Sequence, residues 1–223
     1  MIDTIHGIGH YCGRFADGFW GEPQNSLSNG AFLIAAGVGF SAWRARGARD
    51  VWQGVLIALA ALIGVGSFIF HAMPDNVTLQ LDLIPIQMFG LAAFFYLARG
   101  EFALSRWLAV LAVAVFFLVR QGWLMIGPRG GLGGGMSHVP TVALLIGCGL
   151  WLRGRQRPVG RYLLAAAGFY IAALAVRSLD LPLCSRFPLG LHWLWHSLTA
   201  AVTGTVLLGL IRQGASTPAR HEA

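Results

Sequence analysis

Apolar residues run in long blocks along this chain, separated by short clusters of arginine, glycine, proline and acidic residues. A membrane-spanning helix needs about 20 mostly apolar residues, within a usual range of roughly 17–25. Seven stretches meet that requirement: Leu27–Trp43, Val51–Phe70, Leu79–Ala98, Leu104–Val119, Met136–Leu152, Tyr162–Val176 and Leu191–Ile211. The connections between them are short. They predict one all-α, polytopic seven-transmembrane-helix bundle over 27–211, with an N-terminal segment over 1–26 and a tail over 212–223. The glycine-rich stretch Gly127–Gly135 reads as a flexible loop. It lacks the Lys-Ser/Thr ending of a phosphate-binding loop and no strand precedes it.

Composition removes the soluble alternative. The chain is 56% hydrophobic and 11% charged, with a mean hydropathy of +0.65, whereas a soluble domain carries roughly 25% charged residues. The basic excess is all arginine, with no lysine anywhere, a usage typical of GC-rich bacterial genomes. A bacterial inner membrane is the expected location. In a soluble protein a pI of about 10.4 would point to nucleic acid. Here the arginines punctuate apolar runs, so no nucleic-acid partner is expected. They read as topology determinants facing anionic lipid.

Their placement orients the bundle. Arg44, Arg46, Arg49, Arg99, Arg106, Arg153, Arg155, Arg157, Arg161, Arg212 and Arg220 fall on one side, and Arg14, Arg120, Arg129, Arg177 and Arg186 on the other. Positive charge stays cytoplasmic, so the N-terminus is expected outside and the C-terminus inside. The N-terminal segment holds Asp3, His6, His10, Arg14, Asp17 and Glu22, without an apolar core of signal-peptide type. The first span is therefore expected to direct insertion.

With that orientation, polar residues from four segments meet at one depth near the outer face. His71 closes the second segment after Ser67, Asp82 lies early in the third, and His192 and His196 open the seventh. Glu22, Asn25, Ser28 and Asn29 stand at the start of the first. Ionisable groups near hydrocarbon are functional candidates by default. Residues four apart share a helix face, so His192 pairs with His196 and Ser67 with His71. Three imidazoles that converge are what a catalytic zinc site needs, with its fourth position left to water. The alternatives are histidines that only hydrogen-bond neighbouring helices, or axial haem ligands, which would leave Asp82 and Ser67 without a role. His138 also falls at an outer end and reads as a headgroup or loop contact. His6, His10 and His221 lie in the tails. The eight tryptophans read largely as an interface belt.

These motifs resemble the alkaline ceramidase family, within the seven-helix membrane hydrolases that include the adiponectin-receptor-like proteins. The resemblance rests on ordered blocks across most of the chain. They are Glu22-Pro23-Gln24-Asn25-Ser26-Leu27-Ser28-Asn29, Gly66-Ser67-Phe68-Ile69-Phe70-His71, Leu81-Asp82-Leu83-Ile84-Pro85, Asp180 with Cys184, and His192-Trp193-Leu194-Trp195-His196. It implies zinc on His71, His192 and His196, catalysis by Asp82 and Ser67, and hydrolysis of a sphingolipid amide to release a fatty acid. An esterase or phospholipase using the same site is the nearest alternative. A receptor or transporter with a non-hydrolytic metal is the more distant one. Family members often carry an acidic cluster with Cys-Glu, associated with calcium. This chain reads Gly9-His10-Tyr11-Cys12-Gly13-Arg14 there. Glu22 alone is a poor calcium cage, so calcium is not expected and Glu22 is assigned to bracing the helix start or the N-terminal segment.

Cysteines complete the reading. Cys148 lies in the fifth apolar segment and is expected to pack there. Cys12 and Cys184 are both assigned outside, where disulfides persist, and a bridge between them is expected. The active site then faces the periplasm or exterior, and a membrane lipid is the expected partner.

Overall fold

The computed structural model describes residues 11–16, 18–126 and 131–213. His6, His10 and His221 lie outside the described residues. Helix α1 spans Pro23–Ser28 and α2 spans Gly30–Ala45, followed by α3 (Val51–Ala72), α4 (Asn76–Gly100) and α5 (Arg106–Ile126). A 3₁₀ segment at Gly131–His138 leads into α6 (Val139–Gly154), α7 (Val159–Leu183) and α8 (His192–Gln213). No strand occurs among the described residues. The loop expected over 127–135 is in part this 3₁₀ segment, while 127–130 lie outside the described residues.

Among the described residues six helices are long and apolar enough to cross a membrane, α6 being counted with the 3₁₀ residues that lead into it as Gly135–Gly154, the signature of an integral membrane protein. The seven expected spans are thus six by this measure. Helix α2 has 16 residues, about 24 Å at 1.5 Å per residue, short of a hydrocarbon core of about 30 Å. Asn29 joins α1 to α2 in right-handed helical dihedrals, φ −64° and ψ −18°. Its N–H donates to the Ser26 carbonyl at 3.3 Å, and Phe32 N–H donates to the Asn29 carbonyl at 3.1 Å. These three-residue spacings tighten one turn without changing direction, so α1 and α2 follow a single path.

Helix starts are capped by side chains that the sequence supplies locally. The Asp50 carboxylate accepts from the Trp52 and Gln53 amides, and Asp75 forms a reciprocal capping box with Thr78. Each satisfies amides that no helical carbonyl can reach. Helix α3 packs along α4, α7 along α8, and α2 against both α3 and α8. Leu56, Ala60, Ile63, Leu163, Leu207 and Ile211 are fully buried between them. Helix α5 stands at the periphery with only Ala109 buried. Large apolar side chains such as Ile34, Leu62, Trp107 and Leu118 face outward, as a lipid-facing surface requires.

One close approach positions the site. A Cβ on Gly66 would lie 2.0 Å from the Leu81 carbonyl oxygen and 3.3 Å from the Asp82 amide. Pro85 has no N–H to give the carbonyl four residues back, which is that of Leu81. The freed carbonyl lies against the Gly66 Cα–H, a weak contact common between closely packed helices. Backbone meets backbone here, so the adjacent Ser67 and Asp82 become neighbours across the α3–α4 seam. Gly66→Ala is expected to cost about 1–3 kcal/mol, as overpacking does, and to separate those two side chains. An unfolding midpoint in detergent equal to wild type would contradict the close approach.

Candidate metal centre

Three histidines from two helices converge. His71 ends α3, while His192 and His196 occupy the first two turns of α8. All three are buried, and each offers a ring nitrogen within 4.8 Å of the other two. Ring centroids are 4.7 Å apart for His71–His196 and 4.5 Å for His192–His196.

Hydrogen bonds on the far side of two rings decide their tautomers. The Glu22 carboxylate lies 2.6 Å from His71 Nδ1 and can only accept from it. The Ser28 hydroxyl gives its single proton to the Asn25 carbonyl at 2.9 Å, so it accepts from His196 Nδ1 at 2.8 Å. Both imidazoles therefore keep the Nε2 lone pair free, the arrangement that outer hydrogen bonds impose on metal-binding histidines. His192 differs. Its ring is stacked on Tyr11, with centroids 3.8 Å apart, and its Nδ1 is buried without a hydrogen-bond partner.

Glu22 is itself held. Arg14 Nε donates to its Oε1 at 2.8 Å and Asn25 Nδ2 to its Oε2 at 2.9 Å. Burial pushes the Glu22 carboxyl upward, but the hydrogen bonds from His71 and Asn25 and the charge of Arg14 outweigh this and hold it below the usual range. Glu22 therefore stays ionised at neutral pH. It makes no capping bond to α1, so its structural task is to join the N-terminal segment to His71 rather than to start the helix. Both of its oxygens are engaged by protein donors. Asn29 Nδ2 donates to the Asn25 carbonyl at 2.8 Å and steadies the same turn.

The start of α8 is fixed from the other side. Asp180, buried in α7, accepts from the Leu191 amide at 2.6 Å and from the Cys12 amide at 3.0 Å. Gly190 adopts φ +69°, and a Cβ there would meet Asp180 Oδ1 and Cys12 Cβ at 2.8 Å each. Only glycine lets the chain pass between these groups. Cys12 and Cys184 are bridged, with Cα atoms 5.6 Å apart and 172 residues of separation, as expected from the sequence. The chain-entropy estimate for so long a loop is about 5 kcal/mol, an upper bound because membrane insertion already restricts the unfolded chain. Non-reducing peptide mapping is expected to recover the two cysteines linked. Full alkylation of both without reductant would contradict the bridge.

A cavity of about 470 Å³ opens beside the cluster, and its wall includes Ser67, Asp82, His192 and His196. Asp82 is largely buried and has Ser67, His71 and the Arg177 guanidinium as its neighbours. From there the wall is mainly apolar and extends to Leu97 and Leu210 near the far ends of α4 and α8. His138 is not among the clustered histidines. Its Nδ1 is 2.7 Å from the Tyr170 hydroxyl, so it contacts α7 and not the loop or headgroups expected. Cys148, a free thiol in α6, borders the apolar part of the cavity.

A metal ion fits this donor set. Three neutral imidazoles suit zinc and its transition-metal neighbours, two of the rings are oriented for it, and the unpartnered His192 nitrogen accords with a ligand not yet counted. No family model and no curated protein matches the chain. The site therefore rests on its own geometry. Tyr11, Arg14 and Arg177 were not among the site residues expected from the sequence.

Proposed function

We propose that the chain is a zinc-dependent intramembrane lipid hydrolase that cleaves the amide bond of ceramide or a ceramide-like lipid and releases a fatty acid. One observation supports this most. Two of three clustered, buried imidazoles share the wall of an apolar cavity with a carboxylate and a hydroxyl. Cavities of roughly 300–1,000 Å³ with few polar groups suit small hydrophobic ligands. A zinc ion on the three imidazoles would supply Lewis acidity toward a carbonyl oxygen and toward water.

In this reading Asp82 takes a proton from the attacking water and returns it to the leaving amine nitrogen. The Ser67 hydroxyl donates to the carbonyl oxygen as negative charge develops there. Glu22 and Ser28 keep His71 and His196 in the metal-binding tautomer. The acyl chain extends along α4 from Asp82 to Leu97, about 22 Å at the helical rise. The arginine asymmetry puts the N-terminus and the site on the outer side, with α1 and α2 together as a seventh span.

Purified protein incubated with a membrane lipid extract is expected to consume amide-linked lipids and release fatty acid, as read by mass spectrometry. Chelation should stop this and added zinc restore it. Turnover indifferent to chelation would contradict the metal's role. Loss of ester lipids alone would contradict the amide assignment, and an unchanged extract would contradict hydrolysis.

A further inference from the structure

The same cavity holds two arginines that the proposed chemistry does not use. Arg120 enters from α5 and Arg177 from α7, while Asp82 is the single carboxylate among the described residues of the wall. Neither arginine has an ion-pair partner among the described residues. Arg177 lies over aromatic faces, 5.0 Å from the centroid of Trp195 and 5.5 Å from that of Tyr11. Its Nε is buried and has no hydrogen-bond acceptor. Arg120 Nε reaches only the Ser137 carbonyl, at 3.5 Å. Between them stands the His138–Tyr170 pair, within electrostatic reach of both guanidiniums, and the His138 ring packs 5.1 Å from Trp195.

Arginine within a spanning segment is expensive, about 2.5–3.5 kcal/mol at a helix centre on insertion scales. A buried guanidinium N–H without an acceptor, such as the Arg177 Nε, adds to that penalty. Other arginines of this chain pair with a carboxylate, as Arg14 of the N-terminal segment does with Glu22 and Arg157 of the α6–α7 connection does with Glu101. Arg120 and Arg177 instead face a space large enough for a ligand. The planar fork of guanidinium donors matches the oxygens of phosphate and carboxylate. Tyr11 joins the two sites, since it stacks on His192 and lies beneath Arg177.

We propose that Arg120 and Arg177 form an oxyanion subsite beside the histidine cluster, so that the lipid held in this cavity carries a phosphate or carboxylate. This rests on reading the cavity as a lipid site, but not on hydrolysis. The oxyanion has two sources, the headgroup phosphate of an intact lipid or the carboxylate of a fatty acid. Their shared chemistry is a negatively charged, planar or tetrahedral set of oxygens on a single acyl chain.

Binding to the full chain in neutral nanodiscs tests this, with tryptophan fluorescence as the readout because Trp195 lies in the wall. The probes share one palmitoyl chain: palmitoylglycerol phosphate, palmitate and neutral monopalmitoylglycerol. Each titration is repeated on chelated protein, since a metal on the histidines would itself attract an anion. At least one anionic probe is expected to bind about tenfold or more tighter than the neutral one, as charge-assisted bonds imply, with and without chelator. Preference for the phosphate assigns the headgroup, and preference for palmitate assigns the fatty acid. Arg177→Gln and Arg120→Gln should each remove most of that preference while leaving neutral binding unchanged, and Arg177→Lys should retain part of it. Equal affinity for all three probes in wild type overturns the subsite, as does a preference that vanishes on chelation. Failure of lipid turnover with the binding preference intact would sink the hydrolase reading alone.

Discussion

Asp82→Asn is expected to fold and to hold metal like the wild type while turning over roughly 10²–10⁴-fold more slowly, the range for a lost general acid–base group. Asparagine keeps the size of the side chain and its ability to neighbour Ser67 across the Gly66–Leu81 seam. It cannot take a proton from water or pass one to an amine. The change should appear in kcat more than in KM, since in the proposed reading the acyl chain would lie along α4 beyond this residue. Turnover within a few-fold of wild type, at matched metal content, would show that another group moves the proton.

The second large effect concerns the metal itself. Replacing His71 and His196 by alanine removes one ligand from α3 and one from α8, leaving His192 as the last of the three. A single imidazole does not hold zinc against the purification buffer, so metal content is expected to fall from about one ion per chain to near none. Turnover should fall with it. The same variant leaves Glu22 without its imidazole partner, though Arg14 and Asn25 still engage the carboxylate. The expected result is loss of metal with the helical content kept. Undiminished zinc in the double variant would sink the ligand assignment.

Much of this architecture was legible from the order of residues alone, for identifiable reasons. Apolar blocks fix where helices can cross hydrocarbon, because each backbone group there must be satisfied within its own segment. Arginine asymmetry then put His71, Asp82, His192 and His196 at one depth, and the three histidines do meet. The Cys12–Cys184 bridge followed from the same placement. The span count is least legible where length is marginal: α2 alone has 16 residues, and it nears spanning length only together with α1, which Asn29 joins to it.

Other features depend on contacts between segments far apart in sequence, which periodicity does not report. Gly66 looks like any small residue in an apolar helix until the Leu81 carbonyl freed by Pro85 is seen against it. Arg14 and Tyr11 sit in a polar N-terminal segment, where a solvated role is the ordinary expectation. Their task emerges only once the Cys12–Cys184 bridge and Asp180 fold that segment over the histidines. Arg177 counted as a topology charge at a helix end. Its position over Trp195 and Tyr11, facing a cavity whose single carboxylate among the described residues is Asp82, is a tertiary fact.

The claim that carries the rest is that three imidazoles, and no thiolate, hold one metal ion at this site. Zinc-edge X-ray absorption on the purified wild-type chain tests it most directly. The account predicts about one zinc per chain, nitrogen or oxygen scatterers at about 2.0–2.1 Å, and multiple scattering fitted by three imidazole rings. A sulfur shell near about 2.3 Å, or a fit needing one imidazole or none, would contradict it.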